Sequence, residues 1–166
     1  MNNTREITLI SLLAVIIAIS GSFKIPGPIP GTEFQLSAPI AVAIAASFGF
    51  RRYILAGIIA SAITLVLGTH TIINVIIAMT FRVVAGGIIH FFKPRLIPVI
   101  IAGPLGSIAA RIVLGLLFKN SIAVMLVAGL PGMIYTAIVA WPLSKLLNKI
   151  KEHTPWREIS YEGRHV

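Results

Sequence analysis

The chain has 166 residues, of which 57% are hydrophobic and 11% charged, with a mean hydropathy of +0.95. Since about a quarter of the residues of a soluble domain are charged, this composition excludes an ordinary soluble protein and predicts an integral membrane protein. The net charge of +9 does not indicate nucleic-acid binding, because the basic residues lie between apolar runs and form no single soluble patch.

The first predicted helix, Ile7–Phe23, is an apolar run in which small residues recur every three or four positions. These residues are Ser11, Ala14, Ala18 and Ser22. They share one stripe of a helix and indicate a seam for close packing, either against a partner protein or within this chain. A cleaved signal peptide over residues 1–22 is the less favoured interpretation, since Arg5 is offset by Glu6 and the rest of the chain is equally apolar.

A proline-rich loop follows the first helix. Pro26, Pro28 and Pro30 lack backbone donors and have a fixed φ, which excludes a helix there. The loop carries Glu33 and Gln35, which we expect to contact a ligand or to belong to a lid; solvated loop positions are the alternative.

Five further helices are predicted along the chain, and no internal repeat is evident. They are Leu36–Phe50, Tyr53–Leu67, Thr71–Phe92, Leu96–Phe118 and Ser121–Leu147. The first two are shorter than the roughly 20 residues that a perpendicular span needs, so a re-entrant hairpin over Leu36–Leu67 is an alternative to two spans. The expected fold is an all-α, six-helix transmembrane bundle over residues 1–147 with a short cytoplasmic tail over residues 148–166.

The distribution of basic residues predicts the orientation of the bundle. With the N-terminus in the cytoplasm and six spans, Lys24 and Lys119 are the only lysines or arginines in outer segments. Ten lie on the inner side: Arg5, Arg51, Arg52, Lys93, Arg95, Lys145, Lys149, Lys151, Arg157 and Arg164. This strong positive-inside bias favours six spans with both ends in the cytoplasm.

From about Arg5 to Lys149, the sequence resembles the substrate-binding S-components of energy-coupling factor (ECF) transporters, which import vitamins and similar micronutrients into bacteria. The resemblance rests on the size, the six predicted spans and the Ala14-x-x-x-Ala18 seam, which matches the family's AxxxA signature. The long outer loop and the short turn from Phe48 to Arg52 also fit.

The resemblance implies a multi-pass protein of the bacterial cytoplasmic membrane. It implies that Ala14 and Ala18 dock on a transmembrane coupling protein, which two cytosolic ATPases drive. It also implies an outward-facing pocket capped by the loop between the first two helices. The chain lacks the Met-His start of metal-importing members and the glycine-rich signature of biotin-type members, so the substrate stays open.

Two arginines inside predicted spans are the strongest candidates for substrate binding. Arg82 lies about 16 Å below the outer start of the fourth helix, and Arg111 lies about 10 Å below the outer end of the fifth. A charge at such a depth is costly unless it faces a cavity or a partner. Because helical side chains lean toward their own N-terminus, we expect Arg82 to lean outward and Arg111 inward, toward one depth.

Two positive charges in one region favour an anion. The chain has no Asp, and Glu33 is the only acid predicted on the outer side. Either Glu33 folds in from the loop, or a substrate carboxylate or phosphate supplies the negative charge. His70 and Asn74 share a broad face with Arg82 and are expected to contribute to the site. The alternatives are arginines that bind backbone carbonyls or lipid headgroups, a solvated His70 and a helix-packing role for Asn74.

Two other classes of function compete with a binding protein. A membrane enzyme is disfavoured, because the chain has no Asp, no Cys, no HExxH and no GxSxG. A structural subunit would leave both arginines without a role beyond lipid contact. No metal or cofactor is expected. Without a GxxxxGK[ST] loop the chain cannot use ATP itself, so accumulation against a gradient needs a partner or coupling to an ion.

Overall fold

The computed structural model describes residues 3–26, 33–119 and 121–154. Its helices and strands follow in the order α1 (Asn3–Ser22), β1 (Lys24–Pro26), β2 (Glu33–Gln35), α2 (Ser37–Phe48), α3 (Phe50–Val66), α4 (Ile72–Phe92), α5 (Leu96–Phe118) and α6 (Ile122–Glu152). Consecutive helices run in alternating directions, so the two strands mark one end of the bundle, which we call the hairpin end.

Helix α2 is the centre of the bundle. It packs against each of the other five helices, and nine of its twelve residues are buried. It owes this place to a sequence of alanines and other apolar residues, which allow close approach on every side. At about 1.5 Å per residue it is only about 18 Å long, less than the roughly 30 Å of a bilayer core. The short central helix leaves space at the hairpin end of the bundle.

A single residue, Gly49, joins α2 to α3. Its φ of 87° lies in the left-handed region that favours glycine, so a single residue suffices to change the direction of the chain between the two helices. Four of the described helices are long and apolar enough to cross a membrane, namely α1, α4, α5 and α6, whereas α2 is apolar but shorter. Six spans and the cytoplasmic position of both termini stay predictions.

The loop between α1 and α2 contains structure that the sequence analysis did not predict. Strands β1 and β2 pair in antiparallel register, with Lys24 opposite Gln35 and Pro26 opposite Glu33. The backbone of β2 lies beside α6. Residues 3–26, 33–119 and 121–154 therefore combine six helices with one small β-hairpin, which lies at the end of the bundle where the central helix begins.

At the opposite end, polar contacts join the helices. The Nε of Arg52 lies 3.5 Å from a carboxylate oxygen of Glu6 and links α3 to α1. The ammonium group of Lys151 donates to the backbone carbonyl of Ser47 at 2.8 Å and links α6 to α2. Because α6 continues to Glu152, the helix crosses the predicted boundary between bundle and tail at residue 147.

Candidate functional site

A cavity of about 390 Å³ lies at the hairpin end of the bundle, where the central helix is too short to fill the space. Helices α1 to α6 all contribute to its walls. The polar residues that line it are Ser37, Thr64, His70, Asn74, Arg82, Ser107, Arg111 and Thr136. The volume falls near the lower end of the range of about 300–1,000 Å³ that is usual for small-molecule sites.

Arg82 projects from the middle of α4 and is only 8% exposed. Its Nη1 donates to the hydroxyl oxygen of Ser61 on α3 at 2.7 Å and to the sulfur of Met79 at 3.4 Å. The side chain passes directly over Gly57, where an added Cβ would lie 2.5 Å from the arginine Cδ. The glycine of α3 therefore provides the space that lets a large cation lie across the helix and reach the cavity.

Arg111 of α5 is half-buried on the α6 side of the same cavity. Its Nη1 donates to the backbone carbonyl of Met125 at 3.0 Å, and an added Cβ on Gly129 would collide with its Nε. The side chain of Arg111 therefore packs against α6, where the missing side chain of Gly129 leaves room and the Met125 carbonyl accepts its hydrogen bond. The expected inward lean of Arg111 stays a prediction.

The start of α4 forms a polar wall beside Arg82. His70 is half-buried, and its ring lies next to Gly21 at the end of α1. Asn74 is exposed, and its backbone N–H donates to the hydroxyl of Thr71, which caps the helix at 3.4 Å. Both residues line the cavity, so the polar face predicted from their spacing is directed at one space.

The electrostatics of the cavity favour a negative ligand. Among the described residues that line it, two are arginines and none is an aspartate or glutamate. Ser37 and Ala38, the first residues of α2, also line it, so the positive end of the α2 dipole faces the same space. A carboxylate or phosphate would complement both sources of positive potential.

Two further predicted site residues, Glu33 and Gln35, lie in the loop between α1 and α2. Glu33 and Gln35 belong to β2 at the hairpin end, but their side chains are outside the described residues, so their contact with a ligand stays a prediction.

The small-residue seam of α1 faces the inside of this bundle, and docking of a partner protein at Ala14 and Ala18 stays a prediction. Ala14 is fully buried in the core, and Ala18 is 8% exposed and lines the cavity. Packing within the chain, the alternative left open by the sequence, agrees with this placement. A partner that binds α1 in this arrangement would meet the opposite face, which includes Val15 and Ile19.

Sequence reasoning missed several residues that shape the cavity. Gly57 and Gly129 were not recognised as the positions over which the arginines lie, although Gly57 and Ser61 are one turn apart and indicate a small-residue helix contact. Thr64 and Thr136 were also missed. Their hydroxyls donate to backbone carbonyls of their own helices, as is common for threonine in membrane helices, so nothing in the sequence marks them as lining residues.

Comparison with known proteins gives one informative similarity. The chain is 47% identical over 150 residues to Protein BioX of Lysinibacillus sphaericus, and the alignment covers 90% of each chain. No protein-family model matches the chain.

Proposed function

This chain belongs to the same family as Protein BioX of Lysinibacillus sphaericus, and we propose that it is the membrane-embedded substrate-binding subunit of an uptake system for a small anionic micronutrient. The single observation that supports this function best is the cavity at the hairpin end, with a buried arginine in its wall and no acidic side chain among the described lining residues.

The buried arginine distinguishes a binding site from a packing defect. A guanidinium has five N–H donors, and in Arg82 the hydrogen bonds to Ser61 and Met79 both involve Nη1. Neither acceptor is an anion, so neither neutralises the charge. A substrate carboxylate would do so and would accept further donors of the same planar group.

The role proposed is binding without chemistry. The other polar lining groups are hydroxyls, an amide and an imidazole, which can orient a ligand by hydrogen bonds. With no ATP-binding loop in the sequence, accumulation of the ligand requires an energy source outside this chain. The resemblance to ECF S-components supports a transmembrane coupling protein and two cytosolic ATPases as that source, with the protein in the bacterial cytoplasmic membrane.

Mass spectrometry of the small molecules that co-purify with the protein tests this function. Wild-type protein should carry an anionic metabolite that is absent from a parallel preparation of Arg82→Met. Arg95→Met, which removes an exposed arginine at the opposite end of the bundle, is the matched control and should retain it. Biotin is the first vitamin to add in excess, prompted by the name of the relative. Wild-type protein that retains and binds no anion would instead indicate a structural subunit.

A further inference from the structure

A site for a single anionic group at Arg82 would leave the second arginine of the cavity, Arg111, without a function. Arg111 lines the same space from α5, and its Nη1 donates to the Met125 carbonyl, which is neutral. A half-buried cation with a neutral partner retains the capacity to bind an anion.

The two arginines are held in the same manner by different pairs of helices. Arg82 of α4 lies over Gly57 of α3, and Arg111 of α5 lies over Gly129 of α6. In each case, the missing Cβ lets the side chain lie along the neighbouring helix, and a hydrogen bond to that helix fixes one end of the guanidinium. Both cations are thus positioned before a ligand arrives, which lowers the cost of ordering them on binding.

These contacts place the two guanidiniums on separate walls. Arg82 is directed at α3, whereas Arg111 is directed at α6, and each hydrogen bond holds its group on its own wall. The α4 and α5 residues that line the cavity along with them include Ile77, Ala78, Phe81 and Leu114, which are apolar. The cavity therefore combines two cationic walls with apolar lining.

We infer that the ligand carries two anionic groups joined by an apolar linker, one group for Arg82 and the other for Arg111. This inference rests on the proposed function and specifies its substrate class as a small dicarboxylate. A monocarboxylate such as biotin would neutralise one arginine and leave the other with its neutral partner. A dicarboxylate neutralises both, and its linker replaces water against the apolar lining.

The test uses wild-type protein and straight-chain α,ω-dicarboxylates of increasing length, each with its monomethyl and dimethyl ester. Affinity is measured by isothermal titration calorimetry. At the best chain length, the diacid should bind at least about tenfold more tightly than its monoester, since one charged hydrogen-bonded pair is lost in the ester. In Arg111→Met and in Arg82→Met, the diacid and the monoester should bind nearly equally, whereas Arg95→Met should keep the wild-type ratio.

The outcomes separate this inference from the proposed function. If monocarboxylates, biotin included, bind to the wild-type protein as tightly as the diacids, the two-anion inference is overturned and an anion-binding subunit stands. If no acid of either kind binds, both fail. The comparison of each diacid with its monoester uses the wild-type protein alone. It therefore decides the inference even if a variant does not fold.

Discussion

Replacement of Arg82 by methionine removes the charge from the cavity wall and keeps most of the side-chain bulk. The native guanidinium is 8% exposed and donates to Ser61 and Met79, neither of which neutralises it. In the ligand-bound protein it would pair with an anion in a largely desolvated setting. Loss of one partner of such a pair costs about 2–5 kcal/mol, which corresponds to a roughly thirtyfold to several thousandfold weaker affinity.

The stability of the empty protein should change far less than the affinity. A buried charge without an anionic partner carries a desolvation penalty, and its removal offsets the lost hydrogen bond to Ser61. Arg82→Lys retains the charge and loses the planar fork, so its affinity should lie between those of the wild type and Arg82→Met. Arg95→Met should behave as the wild type in both respects.

The assay is thermal unfolding of the purified proteins, with and without the anionic metabolite that co-purifies with the wild type. Ligand should raise the unfolding temperature of the wild type and of Arg95→Met, because it binds the folded state alone. It should raise that of Arg82→Met little or not at all at the same concentration. If Arg82→Met unfolds at a much lower temperature without ligand but is stabilised by ligand to the full wild-type extent, the arginine has a structural role and the reasoning is refuted.

Three further predictions concern the walls of the cavity, the small-residue seam of α1 and the orientation of the bundle in the membrane. Gly57→Ala should displace the Arg82 side chain and weaken ligand binding by about tenfold or more. Gly87→Ala is the control: an added Cβ there meets nothing within 4 Å, so this variant should bind the ligand normally in the same titration. Ala14→Trp should destabilise the purified protein by at least about 1–3 kcal/mol, because it overpacks the core. A normal unfolding temperature combined with lost uptake would instead indicate that a partner protein docks at Ala14. In the cysteine-free background, Ser121→Cys should react with an impermeant thiol reagent in intact cells and Arg95→Cys should not; the reverse pattern would invert the orientation.

The helices were the most predictable part of this fold. Long apolar runs with proline, glycine and basic breaks predicted the four helices that are long enough to span, with boundaries within a few residues except at the end of α6. The last helix continues past Leu147 to Glu152, where Lys151 finds an acceptor on α2. A tertiary contact of that kind cannot be seen in the local sequence. The β-hairpin was missed because prolines and glycines around it weaken every strand signal.

The site was predictable only in part, for a definite physical reason. The cost of a charge in a membrane identified Arg82 and Arg111, and helical spacing added His70 and Asn74. The directions of the arginines depend on which neighbouring helix lacks a side chain at their level, and this is a property of the packed bundle. The same limit applies to the seam of α1, since spacing predicts a close contact but not whether the contact is inside or outside the chain.

The most direct test of an anion-binding cavity is calorimetric titration of the purified wild-type protein with the co-purifying acid and with its neutral amide. The amide keeps the shape of the ligand and loses the negative charge that would pair with an arginine of the cavity. The account predicts that the acid binds at least about thirtyfold more tightly than the amide, which corresponds to about 2 kcal/mol. Equal affinities for the acid and the amide would contradict it.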